Sequence, residues 1–310
     1  MLAVFNIIAP VFAIVLLGYG AVRFKLYPQE GVKGLVAFVN NFCTPCLLFK
    51  AMLGADFHTA FNLSILVPFY IGAFICFAIG CVVSFRAFKS RPGDSVGSGF
   101  AGTFSNTVMM GIPIVNRAFG ADAMPVIYSI IAFHAGILIT VAMVVMELTR
   151  RDGRPLIEVL PGAASRILLN PLLLGVAVGL ACNLLGVRLP ETGEAFFDIM
   201  SQAVLPAALF AIGGALNEYR ISENWLQASF MAFLKLMVHP TIAYVLMVPV
   251  LHAPIEVARY GILLAAMPTG INAYVFATYY NRGVSVSNST ILISTAAAAL
   301  TISFWLLVLG

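Results

Sequence analysis

Residues 105–113 read SNTVMMGIP, a run that sets asparagine, threonine, glycine and proline inside an otherwise apolar stretch. Such a run does not cross hydrocarbon as a plain helix. Glycine lets the backbone open, and proline removes a rung of the hydrogen-bond ladder. In lipid each freed N–H and C=O needs an internal partner, so a break at that depth is tolerated only where it lines a cavity. Residues 267–274, MPTGINAY, carry the same residue types in a second apolar stretch. One such break reads as an ordinary kink. Two that match read as a built feature.

The match extends outward to the whole chain. A shift of 161 in numbering places Pro10 on Pro171, Pro45 on Pro206 and Thr107 on Pro268. VFAIVLLGYG (11–20) falls on LLLGVAVGLA (172–181), and 41–51 falls on 202–212. One offset that holds from the first apolar stretch to the last is an internal repeat. The chain is 61% hydrophobic and 10% charged, with mean hydropathy +0.99, more apolar surface than a soluble domain of this length hides. A spanning helix needs about 20 apolar residues. The expected spans are 2–22, 32–53, 63–85, 97–117, 124–147, 166–186, 195–216, 225–250, 257–279 and 286–309. The first, LAVFNIIAPVFAIVLLGYG, lacks a basic leader and is long enough to span, so no cleaved signal is expected. The fold class is therefore an all-α integral membrane protein of ten transmembrane helices. Residues 1–148 form a first five-helix repeat, 149–165 a cytoplasmic linker, and 166–310 a second repeat. Five is odd, so the second repeat enters from the opposite side. Paired Gly/Pro-interrupted spans in inverted repeats point to the site of a secondary transporter.

The charge has a simple cause. Of 17 Lys and Arg, twelve fall in loops 1–2, 3–4, 5–6, 7–8 and 9–10, and four (Lys50, Arg117, Arg188, Arg259) on the other side. The positive-inside rule puts the richer side in the cytoplasm and both termini outside. The net charge of +4 then calls for no nucleic acid or other acidic partner. Cys43-Thr-Pro-Cys46 has redox-pair spacing but lacks a soluble βαβ context, so it reads as plain buried thiols. Its proline, matched by Pro206, is expected to bend helices 2 and 7 alike.

Neither break holds a carboxylate, whereas a cation carrier usually places one there. Half-helix N-termini favour anions. The expected substrate is thus a small organic anion, a mono- or dicarboxylate. Its binding residues would be Asn106, Thr107, Gly111 and Pro113 from span 4, with Pro268, Thr269, Gly270 and Asn272 from span 9. Lys235, alone among basic residues near the middle of a span, is a functional candidate by default. Its partner is the substrate, a backbone carbonyl at a break, or a distant acid. The bland reading is a lysine that snorkels to water. His239 and His134 are candidate proton carriers, against a role as satisfied packing residues. Tyr274 and Tyr279 would wall a pocket or mark the interface. No catalytic set such as HExxH, a paired-Asp cluster or a nucleophile elbow is present, and no P-loop, so an enzyme is not expected. No metal site or cofactor is expected. A channel fits less well, because there is no charged pore ring.

These features resemble the auxin efflux carrier family: two five-helix halves, kinked helices 2 and 7, and asparagine-bearing breaks in spans 4 and 9. The runs RILLNPLLLG (166–175) and PTGINAYVFA (268–277) resemble it too. Short loops are similar to those of its bacterial members, often named malonate or malate transporters. The resemblance implies the fold of bile-acid sodium symporters and sodium/proton antiporters, with helices 4 and 9 crossing. It also implies a scaffold of helices 1, 2, 6 and 7 (about 2–53 and 166–216) that forms a homodimer through helices 2 and 7. Helices 3–5 and 8–10 (about 63–147 and 225–309) would form a transport domain that moves elevator-fashion in a bacterial inner membrane. Asn106 and Asn272 would hydrogen-bond the substrate carboxylate. The missing acid at span 9 sets this chain apart from sodium-coupled relatives, leaving proton coupling or uniport. A sodium-coupled symporter of bulkier, bile-acid-like anions is the alternative.

Overall fold

The computed structural model describes residues 2–54, 62–150, 171–221 and 223–310. Most of the expected linker 149–165, and residues 166–170 at the expected start of span 6, lie outside them. The helices are α1 (Leu2–Arg23), α2 (Gln29–Phe38), α3 (Thr44–Leu53), α4 (Leu63–Arg86), α5 (Pro92–Ala101), α6 (Ile112–Phe119), α7 (Met124–Arg150) and α8 (Pro171–Leu184). They continue with α9 (Glu191–Gln202), α10 (Val204–Ala215), α11 (Trp225–Phe233), α12 (His239–Val245), α13 (Ile255–Ala265), α14 (Asn272–Tyr280) and α15 (Val284–Leu309). Among the described residues seven helical stretches are long and apolar enough to cross a membrane. The other expected spans are shorter pieces: α8, the pair α5/α6 and the pair α13/α14.

Proline sets the irregularities. Pro45, Pro113 and Pro240 each stand two residues after a π-helical turn, at Val39–Cys43, Thr107–Gly111 and Leu234–Val238. A helical proline lacks its N–H and clashes with the carbonyl four residues back, and a widened turn relieves both problems. The stretch before Pro206 is interrupted at Ala203. Helices 2 and 7 are therefore disturbed at matched places, as the shared proline predicted.

Small residues let backbones touch, which is how helices associate where lipid removes the hydrophobic drive. A Cβ on Gly18 of α1 would overlap the Phe210 carbonyl of α10, and one on Gly179 of α8 would overlap the Phe49 carbonyl of α3. The 161 shift carries 18 to 179 and 49 to 210, so one contact is made twice with the halves exchanged. Gly213 of α10 is packed as tightly on the Val15 carbonyl of α1. Because the obstructing atom is backbone, Gly213→Ala is expected to lower stability by about 2 kcal/mol or more, checked as a fall in melting temperature in detergent. An unchanged melting temperature would mean that α1 and α10 are not this close.

Helices α1, α2, α3, α8, α9 and α10 pack chiefly on one another, and α4, α5, α7 and α11 to α15 do likewise. Large apolar side chains such as Leu16, Leu17, Phe42, Ile199 and Leu300 stay on the outer surface. The loops sort to two faces. On one, Lys33 pairs with Glu218 at 3.1 Å, the Asp94 carboxylate accepts from the Gly283 N–H at 2.9 Å, and the Asn224 amide donates to the Ser285 hydroxyl at 3.3 Å. On the other, Lys50 pairs with Asp198, Arg117 donates to the Asn6 and Ile7 carbonyls, and the Arg259 guanidinium lies 4.7 Å from the Phe119 ring centre. Loops 1–2, 3–4, 7–8 and 9–10 thus share a face, matching the alternation expected from the sequence.

Candidate functional site

The two breaks meet. Residues 102–106 are unwound between α5 and the π turn, and 266–271 between α13 and α14. Their extended parts run antiparallel as an isolated bridge between Ser105 and Thr269. The Asn106 N–H donates to the Pro268 carbonyl at 2.8 Å, and the Gly270 N–H to the Phe104 carbonyl at 2.9 Å. Each broken chain thereby satisfies the other's backbone, which a single break in lipid could not do for itself.

Side chains from neighbouring helices take the remaining groups in paired fashion. The Ser105 N–H donates to His134 Nε2 of α7 at 3.2 Å, and the Thr269 N–H to Ser294 Oγ of α15 at 3.1 Å. Two negative helix ends also point at the crossing. The Thr269 hydroxyl donates to the Ala101 carbonyl at the end of α5 at 2.8 Å, and the Lys235 ammonium donates to the Ala265 carbonyl at the end of α13. Lys235 is fully buried, and its Nζ also lies 3.2 Å from His239 Nδ1. His239 Nε2 lies 3.0 Å from the Phe69 carbonyl. With Lys235 donating to Nδ1, the ring carries its proton on Nε2 and donates it to Phe69. Of the three partners the sequence left open for Lys235, the structure pairs it with a carbonyl at a break. A cation at a helix C-terminus is favoured by the helix dipole.

Beside the crossing lies a cavity of about 220 Å³. Asn106, Thr107, Gly270 and Asn272 line it, with His134, Ser105 and the Asn40–Asn41 pair of the first π turn. Among the described residues, no Lys, Arg, Asp or Glu lines it. Asn272 opens α14, and Asn106 immediately precedes the π turn, so both amides sit at starts of helical segments. Among the described residues, the Ser105 hydroxyl and His134 Nδ1 are buried with no hydrogen-bond partner. A buried polar group left so costs about 1–3 kcal/mol.

Other expected residues stand apart from this cavity. The first break opens at 102–106, and Gly111 and Pro113 lie downstream in helical backbone. Gly111 makes room for the Leu264 side chain rather than opening the chain. Pro113 is accommodated by the π turn, so the unwinding falls upstream of it. Pro268 contributes its carbonyl to the bridge, and Thr269 its hydroxyl to Ala101. Lys235 and His239 lie behind the crossing, outside the lining. Tyr274 packs on Tyr219 at 5.8 Å and Tyr279 on Tyr280 at 4.9 Å, away from the cavity. Sequence reasoning missed Asn40 and Asn41 as a pair. The available signal was two adjacent amides inside an apolar span, five and four residues before its kinking proline.

Comparison with known proteins bears on this geometry. The family model described as "Membrane transport protein" matches residues 3–306. The chain is 25% identical over 304 residues to the "Putative malonate transporter" of Rhizobium meliloti (strain 1021), covering 98% of this chain and 95% of that one. It is 23% identical to the "Probable auxin efflux carrier component 5a" of Oryza sativa subsp. japonica, over 91% of this chain and 90% of that one. It is 28% identical to the "Lysosomal cholesterol signaling protein" of Mus musculus, over 96% of this chain but 36% of that longer protein.

Proposed function

The chain belongs to the membrane transport protein family, that of the auxin efflux carriers, and on that premise we propose that it is a secondary carrier of a small organic anion. The observation that carries this reading is the cavity lined by Asn106, Asn272, Asn40 and Asn41 at the meeting of two broken helices. The carbonyl ends of α5 and α13 are capped by Thr269 and Lys235, so the field left at the crossing is that of helix N-termini. Neutral amide donors in such a field suit a carboxylate. Resemblance to a protein named for malonate adds to this.

We infer ten spans in two inverted repeats, supported by the exchanged Gly18–Phe210 and Gly179–Phe49 contacts. Helices 1, 2, 6 and 7 act as a scaffold, and helices 3–5 and 8–10 carry the crossing past it as an elevator. That division follows the packing preferences of the two helix groups. The scaffold forms a homodimer through helices 2 and 7, whose outer faces expose Phe38, Phe42, Phe196 and Ile199. Positive-inside logic orients the chain in a bacterial inner membrane with both termini periplasmic. Coupling is to protons rather than sodium, with Lys235 and His239, joined at the Ala265 end of the second break, as its titratable groups.

The test is uptake of labelled malonate and malate, with acetate as the monocarboxylate, by proteoliposomes under an imposed proton or sodium gradient. Uptake driven by the proton gradient is expected. A dependence on sodium would overturn the coupling, and no uptake or binding of any carboxylate would overturn the substrate class.

A further inference from the structure

We propose that His134 is a substrate-contacting residue that works as a neutral hydrogen-bond donor: its Nδ1–H, with the Ser105 hydroxyl, grips one carboxylate oxygen in the cavity. The inference rests on the carboxylate-carrier reading above and departs from the expectation of His134 as a proton carrier.

Three observations lead to it. First, His134 Nε2 accepts the Ser105 N–H at 3.2 Å. A ring nitrogen that accepts carries no proton, so the neutral ring holds its proton on Nδ1. Imidazolium would set an N–H against the Ser105 N–H and break the peptide's tie at the crossing. Second, Nδ1 is buried and has no partner among the described residues, and the hydroxyl of Ser105 shares that condition. Both residues line the same cavity. Buried polar groups without a partner are rare and call for one. Third, the two polar side chains packed around Phe69 beside the ring, Tyr70 and His239, are already committed. The Tyr70 hydroxyl donates to the Ile130 carbonyl at 2.7 Å, and His239 is engaged by Lys235 and the Phe69 carbonyl. The ring is held by Phe69, Tyr70 and Phe104, with centroids 5.7, 6.4 and 4.7 Å away.

The backbone of Ser105 therefore sets the tautomer, and the tautomer sets the ligand polarity. A donor at Nδ1 suits a carboxylate oxygen and not a cation. The crossing and the ligand are read by one ring, through its two nitrogens.

Two substitutions separate the two nitrogens. Glutamine reaches the Nε2 position and can accept from Ser105, but offers nothing at Nδ1. Asparagine offers a donor near Nδ1 and leaves the Ser105 N–H without its acceptor. His134→Gln is expected to melt near wild type and to bind its carboxylate about tenfold or more weakly, the effect of a lost hydrogen bond to a charged group. His134→Asn is expected to melt lower. The direct measurement is ¹⁵N NMR of histidine-labelled protein in lipid nanodiscs, with the His134 signals assigned by subtraction of the His134→Gln spectrum. The expected result without ligand is an Nδ1–H tautomer. Among malonate, malate and acetate, the acid that raises the melting temperature should move the Nδ1–H signal downfield. An Nε2–H tautomer, or imidazolium at neutral pH, overturns the proposal whatever is transported. So does thermal stabilisation by a carboxylate that leaves the His134 signals unmoved, which spares the carrier reading and identifies water as the partner of Nδ1. If no acid of the three raises the melting temperature, the carboxylate reading fails and takes the ligand role of His134 with it.

Discussion

Asn106→Ala and Asn272→Ala are each expected to cut carboxylate uptake at least about tenfold, and together to bring it to background. A hydrogen bond to a charged ligand contributes about 1.5–3 kcal/mol, a tenfold to hundredfold factor in affinity. Few substitutions could have so local an effect, because the fold here does not depend on either amide. Asn106 is tied to the crossing through its backbone, its N–H to the Pro268 carbonyl and its carbonyl to the Gly111 N–H at 3.0 Å. Alanine preserves both bonds. Asn272 is the first residue of α14, half-buried, where alanine is a better helix former than asparagine. Both variants should insert and melt like wild type. Uptake of malonate and malate by proteoliposomes, normalised to inserted protein, checks this. Wild-type uptake with wild-type affinity in both single variants would remove the amides from the site.

Lys235→Met is the second change with a large expected effect, and it acts on the structure first. Methionine keeps much of the volume and none of the charge. The Ala265 carbonyl and His239 Nδ1 then lose their shared donor in a fully buried place. Two unsatisfied acceptors at about 1–3 kcal/mol each predict a loss of at least about 2 kcal/mol. The uncapped end of α13 would also set negative potential beside the proposed anion site, so uptake should fall with stability. Arginine is not expected to rescue, since its planar fork does not fit a space closed around one ammonium. The measurement is the melting temperature of Met, Arg and wild-type proteins in the same detergent. A methionine variant that melts and transports like wild type would mean the lysine holds nothing at the crossing.

The sequence carried a good deal of this. Hydrophobic run length located the helices, because a bilayer demands a minimum apolar length that composition cannot disguise. The twin runs at 105–113 and 267–274 announced breaks, because Gly and Pro act on their own backbone wherever they lie. Asn106, Thr107, Gly270 and Asn272 were legible for that reason, and all four line the cavity.

What the tertiary structure decided is everything that depends on a partner distant in the chain. Gly111 and Pro113 looked like the opening of span 4, yet a π turn absorbs the proline and the unwinding moves to 102–106, where the second break supplies the Pro268 carbonyl. Lys235 could be recognised as important but not assigned, since the Ala265 carbonyl it caps lies 30 residues away. His134 and Ser105 are 29 residues apart and Asn40–Asn41 farther still, so no periodicity links them. Local chemistry fixes where a chain bends or breaks. Which freed groups find each other is settled only when the breaks cross.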